Sequence, residues 1–431
     1  MEAAGDLRAA FDWHMRAGSW STNRDRAAAR TSWQRARHVA DRLPPDEPDR
    51  IAKQIAALTV LCGTLWLTGG SAADTGFEQL RELCALSGDK TSLAIGMAGI
   101  VMALAGHNRH REAAQLSSEL AALIESIADP GLTCGLLLAV TYAKSEIGEM
   151  TEALRLAERV IELSDGDRAM GYMFMGSPLA GATRMRGLYR LCLGIKGWRS
   201  DADTAIAMAA PLYPTSHVAA IMYKYILSIP IGARLADSVA LRETAEALQI
   251  AEQAGDDFTL VQAQLARGLV LVHHDGLQRE GVDLLSRARD AAVKQGFTMN
   301  ALALVDPAMA REKARNGDLD DAIELSRSAI ADMYDTGGVI SLGVATTVLV
   351  ESLLDRGAEG DLQEALSAID RLAAVPSEPG FVLHELPLLR LQALVARAQG
   401  DDATYRAFMD HYRTKAAAAD FEPIATEESE N

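Results

Sequence analysis

Between Arg315 and Met333 the chain reads RNGDLDDAIELSRSAIADM. A turn, Asn316-Gly317-Asp318, precedes a run in which Ala322, Leu325, Ser326, Ala329 and Ile330 recur at i, i+3, i+4, i+7 and i+8. That spacing is the apolar stripe of an amphipathic helix. Asp318 stands where a side chain can cap free backbone amides, and an acidic first turn suits the helix dipole. Small residues occupy the positions where another helix presses closest.

The pattern returns along the chain. GEMTEALRLAERVIEL puts Ala153, Ala157 and Val160 in the same slots, and LRETAEALQIAEQAGD offers Ala247, Ala251 and Ala254. LQREGVDLLSRARDAA supplies Gly281, Leu285 and Ala288; GDLQEALSAIDRLAAVP supplies Ala365, Ile369 and Leu372. Near the start, Ala29, Trp33 and Ala36 fill them, and fainter copies centre on Gln79, Ala114, Ala205 and Ala403. From Ala205 the first-slot residues are spaced by 42, 34, 41, 43 and 38. Less charged segments such as Phe258–His273 and Val339–Leu354 lie between the copies and supply a partner helix. A period near 40 with one turn-led helix per copy predicts an all-α, right-handed α-solenoid of about ten degenerate helix pairs. A lone pair cannot cover its own apolar face, so stability comes from stacking on the next pair.

The regularity breaks between Asp165 and Ser238, where glycines and prolines cluster and the step from Ala153 to Ala205 is 52 residues. The expected organisation is N-terminal repeats over 1–165, irregular repeats with an insertion of about ten residues over 166–237, and C-terminal repeats over 238–418. Residues 419–431 read as an acidic tail without fixed structure. A bend into two lobes is expected near Pro230–Asp237. Within the irregular part, RMRGLYRLC and IMYKYIL offer Arg184, Arg186, Tyr189, Tyr223, Lys224 and Tyr225 as groups that can project into a concave groove. The pattern favours a plainer placement, with the tyrosines in the core and the arginines on solvated faces.

Composition narrows the function classes. Half the residues are apolar but only 5% are aromatic, a balance that suits close-packed helices. Net charge is 42 − 59 = −17, which sets nucleic acid and anionic lipid aside as default partners, because neither gains counterion release from such a surface. Cys62, Cys84, Cys134 and Cys192 are separated by 22, 50 and 58 residues, a spacing of buried free thiols rather than a zinc cluster. Free thiols fit a reducing cytoplasm, and Met1–Arg16, charged and amphipathic, does not read as a signal peptide. Uncharged runs at Gln54–Ala73, Thr91–Asn108 and Gly131–Ala143 read as buried repeat helices, not membrane spans.

No motif assembles a catalytic, cofactor or metal site. SGDKTS at Ser87–Ser92 is an inter-helix turn, since a phosphate loop needs glycine directly before its lysine and Asp89 stands there. His273 and His274 are adjacent, so in a helix they point about 100° apart, and they suit carbonyl capping at a helix end. HELPLL at His384–Leu389 lacks the second histidine of a zinc helix. The glycines of GMAGIVMALAG follow helix-contact spacing rather than a dinucleotide fingerprint.

The small slots of Ala153/Ala157/Val160 and Ala322/Ser326/Ala329, with Pro376 near a closing proline, resemble the second helix of tetratricopeptide repeats; the copies are degenerate and the first-helix aromatic pattern is largely missing. A second resemblance spans essentially the whole chain. The opening AGDLRAAFDWHMRAGSWSTNRDRAAARTSWQRARHVADRLP, the stretches LRELCALSGDKTSLAIGMAG, RVIELSDGD and GSPLA, and the closing VLVESLLDRGAEGD and YRAFMDHYRTKAAAADFE are similar to the C-terminal region of actinobacterial multidomain signalling proteins. In that family a class III adenylyl/guanylyl cyclase domain and an AAA/STAND ATPase precede a TPR-like array. The resemblance implies a non-enzymatic sensor arm that binds a protein segment or a small effector, coupled to a cyclase or ATPase module encoded upstream. The sequence departs from that family in lacking the cyclase and ATPase domains and starting inside the first repeat, as a split gene, a truncated gene or a cut fragment would. The other context for such an array is a LuxR/MalT-like regulator that has lost its DNA-binding domain.

Overall fold

The computed structural model describes residues 6–22, 24–173, 176–210, 213–295 and 299–422. Among these are twenty-one α-helices and no strand; the one isolated bridge joins Met173 and Gly176. The helices form ten consecutive pairs. The first two are α1 (Leu7–Ser21) with α2 (Arg26–Asp41), and α3 (Arg50–Gly63) with α5 (Phe77–Ser87), the short α4 (Leu65–Thr68) lying between α3 and α5. Next come α6 (Lys90–Gly106) with α7 (His110–Ile127), and α8 (Pro130–Glu146) with α9 (Met150–Ser164). The fifth and sixth are α10 (Pro178–Cys192) with α11 (Trp198–Ala209), and α12 (Pro214–Tyr225) with α13 (Ser238–Ala254). Then follow α14 (Asp257–Val272) with α15 (Gln278–Gln295), and α16 (Leu302–Arg315) with α17 (Leu319–Thr336). The last are α18 (Leu342–Arg356) with α19 (Asp361–Ala373), and α20 (Val382–Ala398) with α21 (Asp402–Ala418). The chain is an α-solenoid of TPR-like pairs.

The two helices of a pair differ as their sequences require. First helices such as α6, α8, α14 and α18 are apolar around most of their circumference and pack on the first helices of adjoining pairs as well as on their own partners. Second helices such as α9 and α19 carry one buried stripe and an outer charged face. This division explains the uncharged runs: no helix among the described residues is long and apolar enough to cross a membrane. Second helices from α9 start at residues 150, 198, 238, 278, 319, 361 and 402, so all steps after the first lie between 40 and 42. The longer first step, 48, locates the insertion in the α9–α10 connection. The anticipated bend at Pro230–Asp237 falls inside the sixth pair, between α12 and α13.

The small slots are where the pairs touch. Ala153, Ala157, Ala322, Ser326 and Ala365 are fully buried. Ala322→Leu or Ala153→Leu is expected to cost about 1–3 kcal/mol by overpacking, read as an earlier denaturant midpoint. Unchanged midpoints in both variants would refute the repeat register. Two register details differ from the sequence reading. Leu80 rather than Gln79 is buried in α5, and Ala403 is exposed. Asp318 occupies the N-cap of α17, yet its side chain makes no capping bond, whereas Asp89, Asp256 and Asp401 each accept from a first-turn amide.

The array curls until its second half lies on its first, with an offset of five pairs. Arg26 of pair one donates to Thr215 of pair six at 3.2 Å, and Trp66 of pair two meets Phe258 of pair seven edge-on at 5.6 Å. Arg111 of pair three donates to the Tyr334 and Asp335 carbonyls that end pair eight. Thr151 of pair four donates to Glu378, between pairs nine and ten, and Trp198 of pair five to the Ala419 carbonyl after pair ten. Ala419 and Phe421 are buried, so residues 419–422, assigned above to the tail, are packed structure. The rest of that segment, 423–431, lies outside the described residues.

The motifs set aside as structural have structural partners. Asp89 caps α6 through the Ser92 amide at 2.9 Å. His273 caps α14, with Nδ1 2.8 Å from the Leu269 carbonyl and Nε2 3.2 Å from Arg311. Burial, with the Arg311 charge beside it, pushes this imidazole down to about 3. His384 is buried with Nε2 2.8 Å from the Val339 carbonyl. All four cysteines are buried free thiols.

Candidate functional site

Stacking one superhelical turn on the other leaves a cavity of about 690 Å³ between their inner faces. The first turn contributes Arg26 and Trp33 of α2, Trp66 of α4, His110 of α7, Tyr142 and Glu146 of α8, and Arg184 of α10. The second contributes Tyr223 of α12, Phe258 and Gln262 of α14, Arg289 of α15, Asn300, and Asp306 of α16. Much of the remaining wall is apolar, including Met102, Leu138, Met185, Met222 and Met333.

The α9–α10 insertion also reaches this wall, through Tyr172, Met173 and Gly176. It lies directly on α8. A Cβ on Gly171, where φ is +70°, would come 2.4 Å from the Gly131 carbonyl oxygen and 2.7 Å from the Gly135 nitrogen. Only glycine permits both that backbone conformation and that approach.

The polar groups of the wall fall into four stations. At the first, the Asn300 amide donates to the Tyr142 hydroxyl and, at 3.2 Å, to Glu146 Oε1. His110 Nδ1 stands 3.7 Å from Glu146 Oε2, and the Val339 amide donates to the Glu146 backbone carbonyl at 3.4 Å. Burial pushes the Glu146 carboxyl up, against His110 and its hydrogen-bond donors, and holds the Tyr142 hydroxyl well above its usual range. At the second, Arg26 pairs with Asp256 at 3.0 Å and lies over the Phe258 ring. Burial lowers this guanidinium and Asp256 opposes the shift. At the third, Arg289 donates to Asp306 at 3.0 Å; burial raises that carboxyl although Arg289 opposes it. These three stations join the turns or brace the pairs.

The fourth station differs. The Arg184 guanidinium lies 4.3 Å from the centroid of the Tyr223 ring. Among the described residues it has neither an ion-pair partner nor a hydrogen bond, and its Nε is shut off from solvent.

Of the six residues offered by the sequence, Arg184 and Tyr223 line the cavity and touch each other. The other four do not reach it. Arg186 forms a bidentate pair with Asp201, the shorter arm 2.5 Å. Tyr189 is a core residue whose hydroxyl donates to the Thr141 carbonyl at 3.3 Å. Lys224 and Tyr225 point the opposite way along α12: both bind Glu243, and Lys224 also binds Asp203 at 2.8 Å. On a helix, residues 223 and 224 cannot share a face, which separates the adjacent Tyr223 and Lys224. The sequence reading missed Glu146 and Tyr142. Their signal is a carboxylate four residues from a tyrosine at the end of an otherwise apolar first helix.

No family model matches the chain, and no curated protein matches it. Among solved structures it is similar to a Rap protein complexed with competence and sporulation factor, at 11% identity over 96% of this chain and 99% of that one, with a TM-score of 0.45. A likeness that remote bears on neither ligand nor partner.

Proposed function

We propose that the chain is a non-enzymatic helical-repeat receptor whose axial cavity takes a small effector or a short protein segment. The carrying observation is that the cavity walls come from both superhelical turns. An occupant therefore touches helices far apart in sequence, and its differential contacts can tighten or loosen the stacking of one turn on the other. The volume lies in the range of small-molecule sites, about 300–1,000 Å³, and the wall has their usual makeup of apolar side chains with a few placed polar groups. The stretches that resemble cyclase–STAND signalling proteins support a place in nucleotide signalling, with this receptor as the sensor arm.

Tryptophan emission tests the reading, because Trp33 and Trp66 line the cavity. A screen of peptides, nucleotides, sugars and small acids on the purified chain should yield a compound that shifts emission and raises Tm. Saturation at 100 times Kd corresponds to about 2.7 kcal/mol of added stability. Trp66→Phe should keep the thermal shift and lose much of the optical one. Absence of any binder, or a binder whose hydrogen-exchange protection maps away from the inner helices, removes the proposal. The signalling context has its own test: adding the chain to a cyclase or STAND ATPase encoded beside it should change nucleotide turnover, and unchanged turnover argues against it.

A further inference from the structure

Buried or half-buried cations in this fold are normally matched. Arg26 faces Asp256, Arg186 and Arg190 share Asp201, Arg289 faces Asp306, and Lys224 sits between Asp203 and Glu243. Arg184 is the exception on the cavity wall: its described neighbour is a ring, not a carboxylate. Stacking on Tyr223 fixes the plane of the guanidinium and leaves its N–H edge free to take two oxygens of a planar or tetrahedral anion side by side.

Two further buried wall groups have a polar atom without a hydrogen bond, independently of Arg184. His110 and Gln262 are 3% and 7% exposed; Gln262 Oε1 has no hydrogen-bond partner among the described residues, and His110 Nδ1, at ion-pair distance from Glu146 Oε2 (3.7 Å), makes no hydrogen bond there either. Unpaired polar atoms that far from water carry a free-energy cost unless a bound molecule meets them. The surroundings also limit the anion. Glu146 and Asp306 line the same cavity, together with the exposed Asp332 and Asp335, and the whole chain carries −17. A polyphosphate meets several carboxylates for one unmatched arginine, whereas a singly charged head meets a balanced site. The methionine-, tryptophan- and phenylalanine-lined remainder calls for an apolar body on that head.

We infer that the cavity's ligand is an amphipathic monoanion, a single carboxylate or phosphodiester head on an apolar or aromatic body, with the head held by Arg184 against Tyr223. This rests on the receptor reading and gives the chemistry of its effector. The wall geometry suits a carboxylic acid and a phosphodiester equally, so the test carries both.

Binding of dodecanoate, indole-3-acetate and dodecyl methyl phosphate to the full chain is compared, by calorimetry, with that of dodecanamide, indole-3-acetamide and dodecanol. At least one anion should bind about 10-fold or more tighter than its neutral counterpart, the factor expected of a charge-assisted hydrogen bond. ATP should bind more weakly than that anion. Arg184→Gln should remove the acid-over-amide preference, while Arg184→Lys should keep part of it. Circular dichroism shows whether each variant retains its helices; if Arg184→Gln does not, the wild-type acid-to-amide ratio alone decides. Equal affinity of acids and neutral partners, or a preference unchanged in a folded Arg184→Gln, overturns the inference and leaves the receptor reading in place. No binding by any probe here, nor by any compound of the broader screen, overturns both.

Discussion

Gly99→Val is expected to cost the chain about 3 kcal/mol, near the upper end for overpacking, and to lower both its thermal and its denaturant midpoint. The reason is backbone contact. A Cβ on Gly99 would lie 2.2 Å from the Cys62 carbonyl oxygen and 2.4 Å from the Gly63 Cα, so α6 meets α3 main chain to main chain. No rotamer change relieves such a clash; the second and third pairs have to move apart. Because each repeat contacts chiefly its neighbours, hydrogen exchange should rise first in α3 and α6. Gly131→Ala is the control. Its added Cβ meets only Asp129 Oδ1 at 3.4 Å and its φ is not positive, so the helix gains about 0.5 kcal/mol from the lost unfolded-state freedom. If both variants fall within about 0.5 kcal/mol of wild type, as ordinary surface changes do, the close approach of α3 and α6 is wrong.

Gly99 also shows why the helix pairs were legible in the sequence. It lies in GMAGIVMALAG, where glycine spacing followed a helix contact rather than a nucleotide motif, and the contact is there. The same holds for Ala322 and Ala153: a helix that must be approached closely along one stripe carries small residues at a period that survives without neighbours for context. Pair count and period are properties of consecutive segments, and ten pairs with steps of 40 to 42 after α9 follow from them. The curl is not such a property. Contacts between pairs five apart depend on small rotations accumulated at each interface, and no local pattern records them. Arg111 reaches the Tyr334 carbonyl across 223 positions, and neither residue marks the other.

The site inherits that difficulty. A cavity between superhelical turns gathers side chains from nearly every pair, so its members share no spacing. The break in periodicity after Asp165 leads to part of this wall: the inserted residues Tyr172 and Met173 and the following Arg184 and Tyr223 line it. Within that neighbourhood the sequence could not separate Arg184 from Arg186, nor Tyr223 from Tyr225, since the choice depends on how α10 and α12 are rotated about their axes. Asp201 settles it for Arg186 and Glu243 for Tyr225.

Trp198→Ala carries the other large effect, about 3–5 kcal/mol, the cost of emptying a buried tryptophan site. Trp198 is 2% exposed, its indole N–H donates to the Ala419 carbonyl at 3.1 Å, and the guanidinium groups of Arg199 and Arg234 lie 4.4 and 5.0 Å from its ring. Around it the fifth pair grips the chain as it leaves the tenth. Arg199 donates to the Asp420 carbonyl at 3.0 Å, to Glu422 at 3.0 Å and to the Ala233 carbonyl at 2.7 Å, and the Glu422 carboxylate accepts from the Leu235 amide at 2.6 Å. Losing the indole removes the centre of this clamp, so α20, α21, α10 and α11 should lose exchange protection together while α6 and α7 keep theirs. Trp198→Phe separates packing from hydrogen bonding. It retains most of the buried ring and should cost about 1–3 kcal/mol, the range for leaving the Ala419 carbonyl unpaired. The closure of the second turn on the first also shapes the cavity, so Trp198→Ala should weaken any ligand that binds there although Trp198 does not line it. A Trp198→Ala chain with near-normal stability, or with ligand affinity untouched, would mean that the two turns are held together elsewhere and that receptor and clamp are uncoupled.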